Sequence, residues 1–228
     1  YAALTSNTTG YSNVGMGKNV MHNNTTGAQN VAIGQGALYE NETSDLNTAV
    51  GYQALEETTS AKNTAVGGYA LTDNTTGTQN VAIGYGSLAN NTTANENTAL
   101  GFETLTANTT GSQNVAVGLK AMQDNNFGVR NTAVGNRALQ HAIDSGSGTP
   151  NDNTAIGSNA LNDVTMGYQN TAVGSYSGDN LTTGHSNVYV GDNAGNTHAT
   201  GNECVFIGRA NNCSTNSVSH EIVIGSSL

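Results

Sequence analysis

Short apolar runs recur along this chain at a nearly fixed distance, each closed by a glycine. Examples are Val-Ala-Ile-Gly at 31–34, Thr-Ala-Val-Gly at 48–51, Thr-Ala-Leu-Gly at 98–101 and Val-Tyr-Val-Gly at 188–191. The closing glycines are Gly17, Gly34, Gly51, Gly67, Gly84, Gly101, Gly118, Gly135, Gly157, Gly174, Gly191, Gly208 and Gly225. Ten of the twelve intervals are 17 residues; the exceptions are 16, ending at Gly67, and 22, ending at Gly157. With that glycine as position 0, position −1 is always Val, Ile, Leu or Met, position −3 is Val, Thr or Ile, and position −2 is mostly Ala. Ala-Leu is typical at +3/+4, as in Ala37-Leu38 and Ala160-Leu161, and Asn-Thr-Thr-Gly at +7 to +10 is a turn signal.

A period of 17 is too short for paired helices, and β-branched runs between Asn- and Gly-rich turns read as strands. The expected fold is all-β: a β-solenoid, or parallel β-roll, of about thirteen 17-residue coils. Each coil is expected to carry a strand at −4 to 0, a second strand near +1 to +4 and a turn from +5 to +11, stacked at about 4.8 Å. The chain reads as one repeat domain, with regular coils over 1–174, variant coils over 175–228 and a loop insertion near 140–152. Position −4 is Asn in eleven of thirteen units. Asn30, Asn47, Asn63, Asn80, Asn97, Asn114, Asn131, Asn153, Asn170 and Asn187 are therefore expected to stack as a side-chain ladder. The repeat glycines are expected to take positive φ or to sit where backbones approach closely.

The variation carries a packing signal. Position +4 is Leu or Met up to Leu161, then becomes Gly178, Gly195 and Asn212; position −2 stays small through Ala172, then becomes Tyr189, Phe206 and Val223. Pairing +4 of one coil with −2 of the next turns large-with-small into small-with-large at Leu161–Ala172, Gly178–Tyr189 and Gly195–Phe206, as a dense interior requires. These positions are expected to touch, within one chain or between chains. The strand reads as burying both faces, −2 on one side and −3/−1 on the other. With so few apolar residues per coil, the second face is expected to pack on sister chains, most naturally in a homotrimer.

Composition narrows the function. Only 36% of residues are apolar, Trp is absent, charged residues make up 10%, and there is one proline, Pro150. The six Lys and Arg are scattered in a chain of net charge −10, so no basic stripe exists for nucleic acid. No apolar run approaches a membrane helix. The chain begins at Tyr1 rather than Met, which reads as a fragment.

The N-T-A-V-G-x-x-A-L and N-T-T-G-x-Q phrases resemble the repeats of bacteriophage tail fibres, particularly of marine and cyanobacterial phages. They are also similar to the head repeats of YadA-like trimeric autotransporter adhesins, and Ser219 to Gly225 (SHEIVIG) resembles the segment preceding the C-terminal region of such fibres. The resemblance implies a trimeric, left-handed parallel β-roll at the virion or cell surface. It also implies a host receptor or glycan met through a tip or loops. The leading expectation is a non-catalytic fibre shaft. The alternatives are an adhesin head and an ice-binding solenoid, the last suggested by Thr48, Thr64, Thr98, Thr132, Thr154 and Thr171 at position −3.

Other chemistry is thin. His22, His141, His185, His198 and His220 fall at different repeat positions and read as surface or turn residues. Asp73 and Asp124 do not form the calcium-roll pattern, and Glu56-Glu57 reads as a solvated turn. No catalytic group, cofactor or metal is expected. Cys204, in place of a ladder Asn, and Cys213 could form a disulfide across a coil or remain as thiols. The sequons at Asn7, Asn24, Asn74 and Asn108 read first as turns, and the insertion HAIDSGSGTPND (141–152) as an outward loop.

Overall fold

The structure, a computed structural model, describes residues 2–142, 149–212 and 214–226. It is an all-β, parallel β-solenoid with one three-residue strand per coil. The chain divides into two compact units, Tyr1–Ser112 and Gln113–Leu228. The first unit holds β1 (Val14–Met16), β2 (Val31–Ile33), β3 (Thr48–Val50), β4 (Thr64–Val66), β5 (Val81–Ile83) and β6 (Thr98–Leu100). The second holds β7 (Val115–Val117), β8 (Thr132–Val134), β9 (Thr154–Ile156), β10 (Thr171–Val173), β11 (Val188–Val190), β12 (Val205–Ile207) and β13 (Ile222–Ile224). Within each unit every strand pairs in parallel with the next, equivalent positions facing each other, as in Ala32 opposite Ala49 and Tyr189 opposite Phe206. The short interval leaves Thr48 opposite Thr64, and the long one leaves Thr132 opposite Thr154. Register is therefore kept across both irregular intervals, because a slip of one residue would turn the −2 side chain out of the core.

The second strand expected near +1 to +4 does not form; that stretch is a continuous turn. Positions +2 and +4 adopt left-handed backbone, as at Gln53 (φ 52°) and Leu55 (φ 52°), and so does −5, as at Gln29 (φ 59°). The alternation aims successive amides up and down the stack. Gln53 N–H donates to Gln35 O of the preceding coil at 2.9 Å, and Leu55 N–H to Ala70 O of the following coil at 3.0 Å. Hydrogen bonding between coils thus continues through the turn, where an extended segment would have to end at the corner.

A leucine in left-handed backbone costs about 1–2 kcal/mol. Burying its side chain returns about 1.5–3 kcal/mol, so burial wins. Leu38, Leu55, Leu71 and Leu88 are fully enclosed at this position in the first unit, as are Leu139 and Leu161 in the second. The interior is a narrow column of these leucines, the −2 and +3 alanines and two rows of asparagine. The repeat glycine is fixed by its neighbour along the stack. Gly67 has φ 137°, and a methyl built on it would lie 2.5 Å from the carbonyl oxygen of Gly84. Gly34, Gly51, Gly84, Gly118, Gly135, Gly157, Gly174, Gly191 and Gly208 repeat the arrangement. Gly17 does so against Gly34, and Gly101 (φ 146°) and Gly225 (φ 121°) share the conformation. Among the described residues no helix is long and apolar enough to cross a membrane.

Candidate functional site

The asparagines at −4 are buried, and each side chain ties together three coil segments. In the first unit Oδ1 of Asn30 accepts the backbone N–H of Asn47 at 2.9 Å, Asn47 accepts from Asn63 at 2.9 Å, Asn63 from Asn80 at 3.0 Å and Asn80 from Asn97 at 3.0 Å. Their amide nitrogens donate outward to turn carbonyls: Asn47 to Ser60 and Asn80 to Ala94, both at 2.8 Å. In the second unit Asn114, Asn131, Asn153, Asn170 and Asn187 continue the pattern, ending where Asn187 accepts the N–H of Cys204 at 2.9 Å. The chief link is amide oxygen to backbone, supplemented by side-chain to side-chain bonds such as Asn131 Nδ2 to Asn114 Oδ1 at 3.3 Å.

A second ladder stands at +7, inside the phrase that reads as a plain turn. Nδ2 of Asn24 donates to Asn7 Oδ1 at 2.9 Å, Asn41 to Asn24 at 3.0 Å, Asn91 to Asn74 at 2.7 Å and Asn108 to Asn91 at 3.0 Å. Thr58 interrupts the row in the 16-residue coil and leaves Oδ1 of Asn41 buried without a partner. Asn24, Asn74 and Asn108 are fully enclosed, so the sequons at these three positions are closed to any modifying enzyme in the folded state.

The +4/−2 relationship lies within a single chain. A methyl on Gly178 would meet Leu161 Cδ2 and Tyr189 Cδ2, each at 2.9 Å; one on Gly195 would meet Tyr189 at 2.5 Å and Phe206 at 3.1 Å. Leu161 and Ala172 are both fully enclosed at the same two positions one coil earlier. The series stops at Asn212, which is exposed, beside a half-buried Val223. Tyr189 and Phe206 stack with ring centroids 5.5 Å apart and planes 2° from parallel, and His198 tilts against both. His198 is fully enclosed and not on the surface as expected, because it takes the +7 place of the inner asparagine row. Its Nε2–H donates to Val218 O at 2.9 Å and its Nδ1 accepts the Tyr189 hydroxyl at 2.6 Å. Burial holds its pKa below the usual histidine value, opposed by the Val218 carbonyl and the Glu221 charge. Cys204 is buried, its Sγ 3.4 Å from the carbonyl oxygens of Asn202 and Val218. The Cys204–Cys213 disulfide lies outside the described residues, since Cys213 is not among them.

The loop expected near 140–152 also lies partly outside them. At its described edge the Pro150 carbonyl accepts from Asn131 Nδ2 at 2.7 Å, and Asp152 pairs with Arg130 at 2.6 Å. The Arg130 contact lowers the pKa of Asp152 and raises that of Arg130. His141, half-buried, bonds Asp163 at 3.1 Å. Asp179 nearby is pushed up to about 6 by burial and the Asp163 charge, with His141 opposing. Tyr69, on the flank of the first unit, is raised above the usual phenol value by desolvation, then by Tyr52 and Glu56.

The −3/−1 face is the one expected to pack on sister chains. In the single chain it is uncovered: −3 is half-buried through most coils, and Ile83, Leu100, Ile156 and Ile207 at −1 are 38–44% exposed. Both columns consist only of Val, Ile, Leu, Met and Thr. The threonines at +8 are spent internally, as in Thr75 Oγ1 donating to Thr92 O at 3.0 Å and Thr92 to Thr109 O at 3.1 Å. Compared with known proteins, the chain matches no family model, no curated protein and no solved structure.

Proposed function

We propose that this chain is a structural shaft, a homotrimeric β-solenoid fibre that carries a recognition element at the surface of a virion or cell, and is not itself catalytic. The uncovered −3/−1 face carries the reading. A column of aliphatic side chains that repeats coil after coil without one charge is the surface a sister chain would cover, and covering it supplies the apolar burial a coil of this composition lacks. The coil interior supports the same role, because its glycines and asparagines hold one coil to the next and set length and stiffness. An adhesin head shares this architecture and differs in where its ligand lies. A second reading draws on the same face: half-buried threonines at −3 beside aliphatics at −1 form a regular, uncharged array of the kind an ice-binding monomer would present. Against it, the +8 threonine hydroxyls are engaged within the coil.

Substituting Ile83→Glu and Ile156→Glu tests the shaft reading by placing a charge on that face in each unit. Assembly through this face predicts a fall in native mass from trimer to monomer with the β circular-dichroism signal retained. A trimer unaffected by both charges contradicts it.

A further inference from the structure

One flank of the first unit carries chemistry the stacking does not use. Tyr52, Tyr69, Tyr85 and Phe102 come from four successive coils and form a column of rings. Their centroids are 5.2, 5.7 and 5.6 Å apart, the first two pairs edge-on and the last stacked. All four are substantially exposed, from 36% for Tyr69 to 52% for Tyr85. The column is built, not accidental to the repeat. Where the other three coils put the ring at +1, the coil of Gly67 has Gly68 there and moves its ring to Tyr69 at +2. A methyl on Gly68 would touch Tyr85 Cδ2 at 3.5 Å, and Gly86 withholds a side chain at +2 in the next coil. A hollow of about 360 Å³ opens beside the rings of Tyr69 and Tyr85, walled by Asp73, Asn90, Thr72 and Thr106.

We propose that this column and hollow form a binding track for an extended β-linked oligosaccharide lying along the solenoid axis. The faces of a pyranose ring present C–H groups to the electron-rich faces and edges of aromatic rings. Its equatorial hydroxyls find acceptors and donors in the Asp73 carboxylate and the Asn90 amide. In an extended β-linked chain, sugar rings follow one another at an advance similar to the spacing of these four side chains, so successive rings meet successive coils. A sister subunit fits less well. Contacts along a fibre repeat in every coil, whereas position +1 is Lys18 and Gln35 before the column and, in the second unit, Leu119 followed by Asn136, Ser158, Ser175, Asp192, Arg209 and Ser226. The proposal goes beyond the shaft reading and does not require the trimer.

Calorimetric titration of the full chain with cellohexaose, chitohexaose and, as a helical control, maltohexaose tests it. At least one of the β-linked hexasaccharides binds, maltohexaose more weakly, and the Tyr69→Ala/Tyr85→Ala double variant loses about tenfold in affinity, as removal of two ring contacts would give. The Tyr69→Phe/Tyr85→Phe variant, which keeps the rings, retains binding, and Tyr11→Ala, an exposed tyrosine outside the column, does not change it. Failure of both β-linked hexasaccharides to bind, or equal affinity for maltohexaose, overturns the proposal. So does a loss of native mass in the alanine double variant, which would make the column a subunit interface; that result would leave the shaft reading standing.

Discussion

Tyr189 donates its hydroxyl to Nδ1 of His198 at 2.6 Å inside the solenoid, while Nε2–H of the same ring donates to the carbonyl of Val218. With Nε2–H donating to Val218 O, the neutral imidazole leaves Nδ1 free to accept the Tyr189 hydroxyl. A second proton would remove the acceptor that Tyr189 uses and place a charge in an apolar stack.

Acid should therefore weaken the second unit through His198. Its folded pKa lies below the usual histidine value of about 6.5, so around that pH the unfolded chain binds the proton more readily than the native one. The stabilisation is full above about 6.5 and is lost as pH falls towards the depressed folded value. Urea unfolding across pH 5 to 8 checks this: wild type falls with acidification, and His198→Asn, which restores the ladder residue, flattens that segment of the profile.

Asp179 contributes with the opposite sign. Its pKa is raised from 3.8 to about 6, so the native state holds the proton more tightly. The contribution is complete below 3.8 and disappears as pH rises through about 6. Asp179→Asn keeps a neutral group at every pH, so it should be more stable than wild type at pH 7 to 8 and close to it at pH 4. An unchanged midpoint at pH 8 would mean that neither burial nor the Asp163 charge burdens the ionised Asp179 in the folded chain.

The exchange of bulk between +4 and −2 is testable as a cycle. Tyr189→Ala alone should cost about 3–5 kcal/mol through the space it leaves. Gly178→Leu alone should cost about 1–3 kcal/mol by overpacking against the ring. Together they rebuild the Leu–Ala pair of earlier coils, and at φ 60° Gly178 already has the backbone that Leu161 adopts at φ 50°. The double variant should be more stable than the sum of the two losses implies by at least about 1 kcal/mol. Additive losses would mean that the two sites do not share their space.

The ladder should outweigh its surroundings. Asn80→Ala removes the acceptor for Asn97 N–H and one donor for Ala94 O. Losing the acceptor of the buried Asn97 N–H costs about 1–3 kcal/mol, while Ala94 O keeps its bond from Asn91 Nδ2 at 3.2 Å. Thr76→Ala, on the same coil but exposed, should stay within about 0.5 kcal/mol. Equal shifts in the urea midpoint would deny the ladder its structural role.

The strand positions and the repeat glycines were legible because each coil states them again, so period and residue type agree. The turn at +1 to +6 was not. Ala-Leu has no local preference for left-handed backbone, and only burial of the leucine together with hydrogen bonds to the coils above and below makes that conformation the better one. The inner row at +7 was hidden for the opposite reason, since Asn-Thr-Thr-Gly is also a good local turn. Its clue lay further along, where the row becomes Val164, Leu181 and then His198, residues that belong inside. The uncovered −3/−1 face could not be assigned from alternation alone, because the same Val-x-Val pattern serves a core and a subunit interface.

The most direct measurement is the native mass of the unmodified chain by light scattering after size exclusion. A shaft assembled through the −3/−1 face predicts a mass near three times 23.2 kDa. A monomer at 23.2 kDa, with the β signal intact, would contradict the trimeric shaft and leave that face as a surface open to solvent.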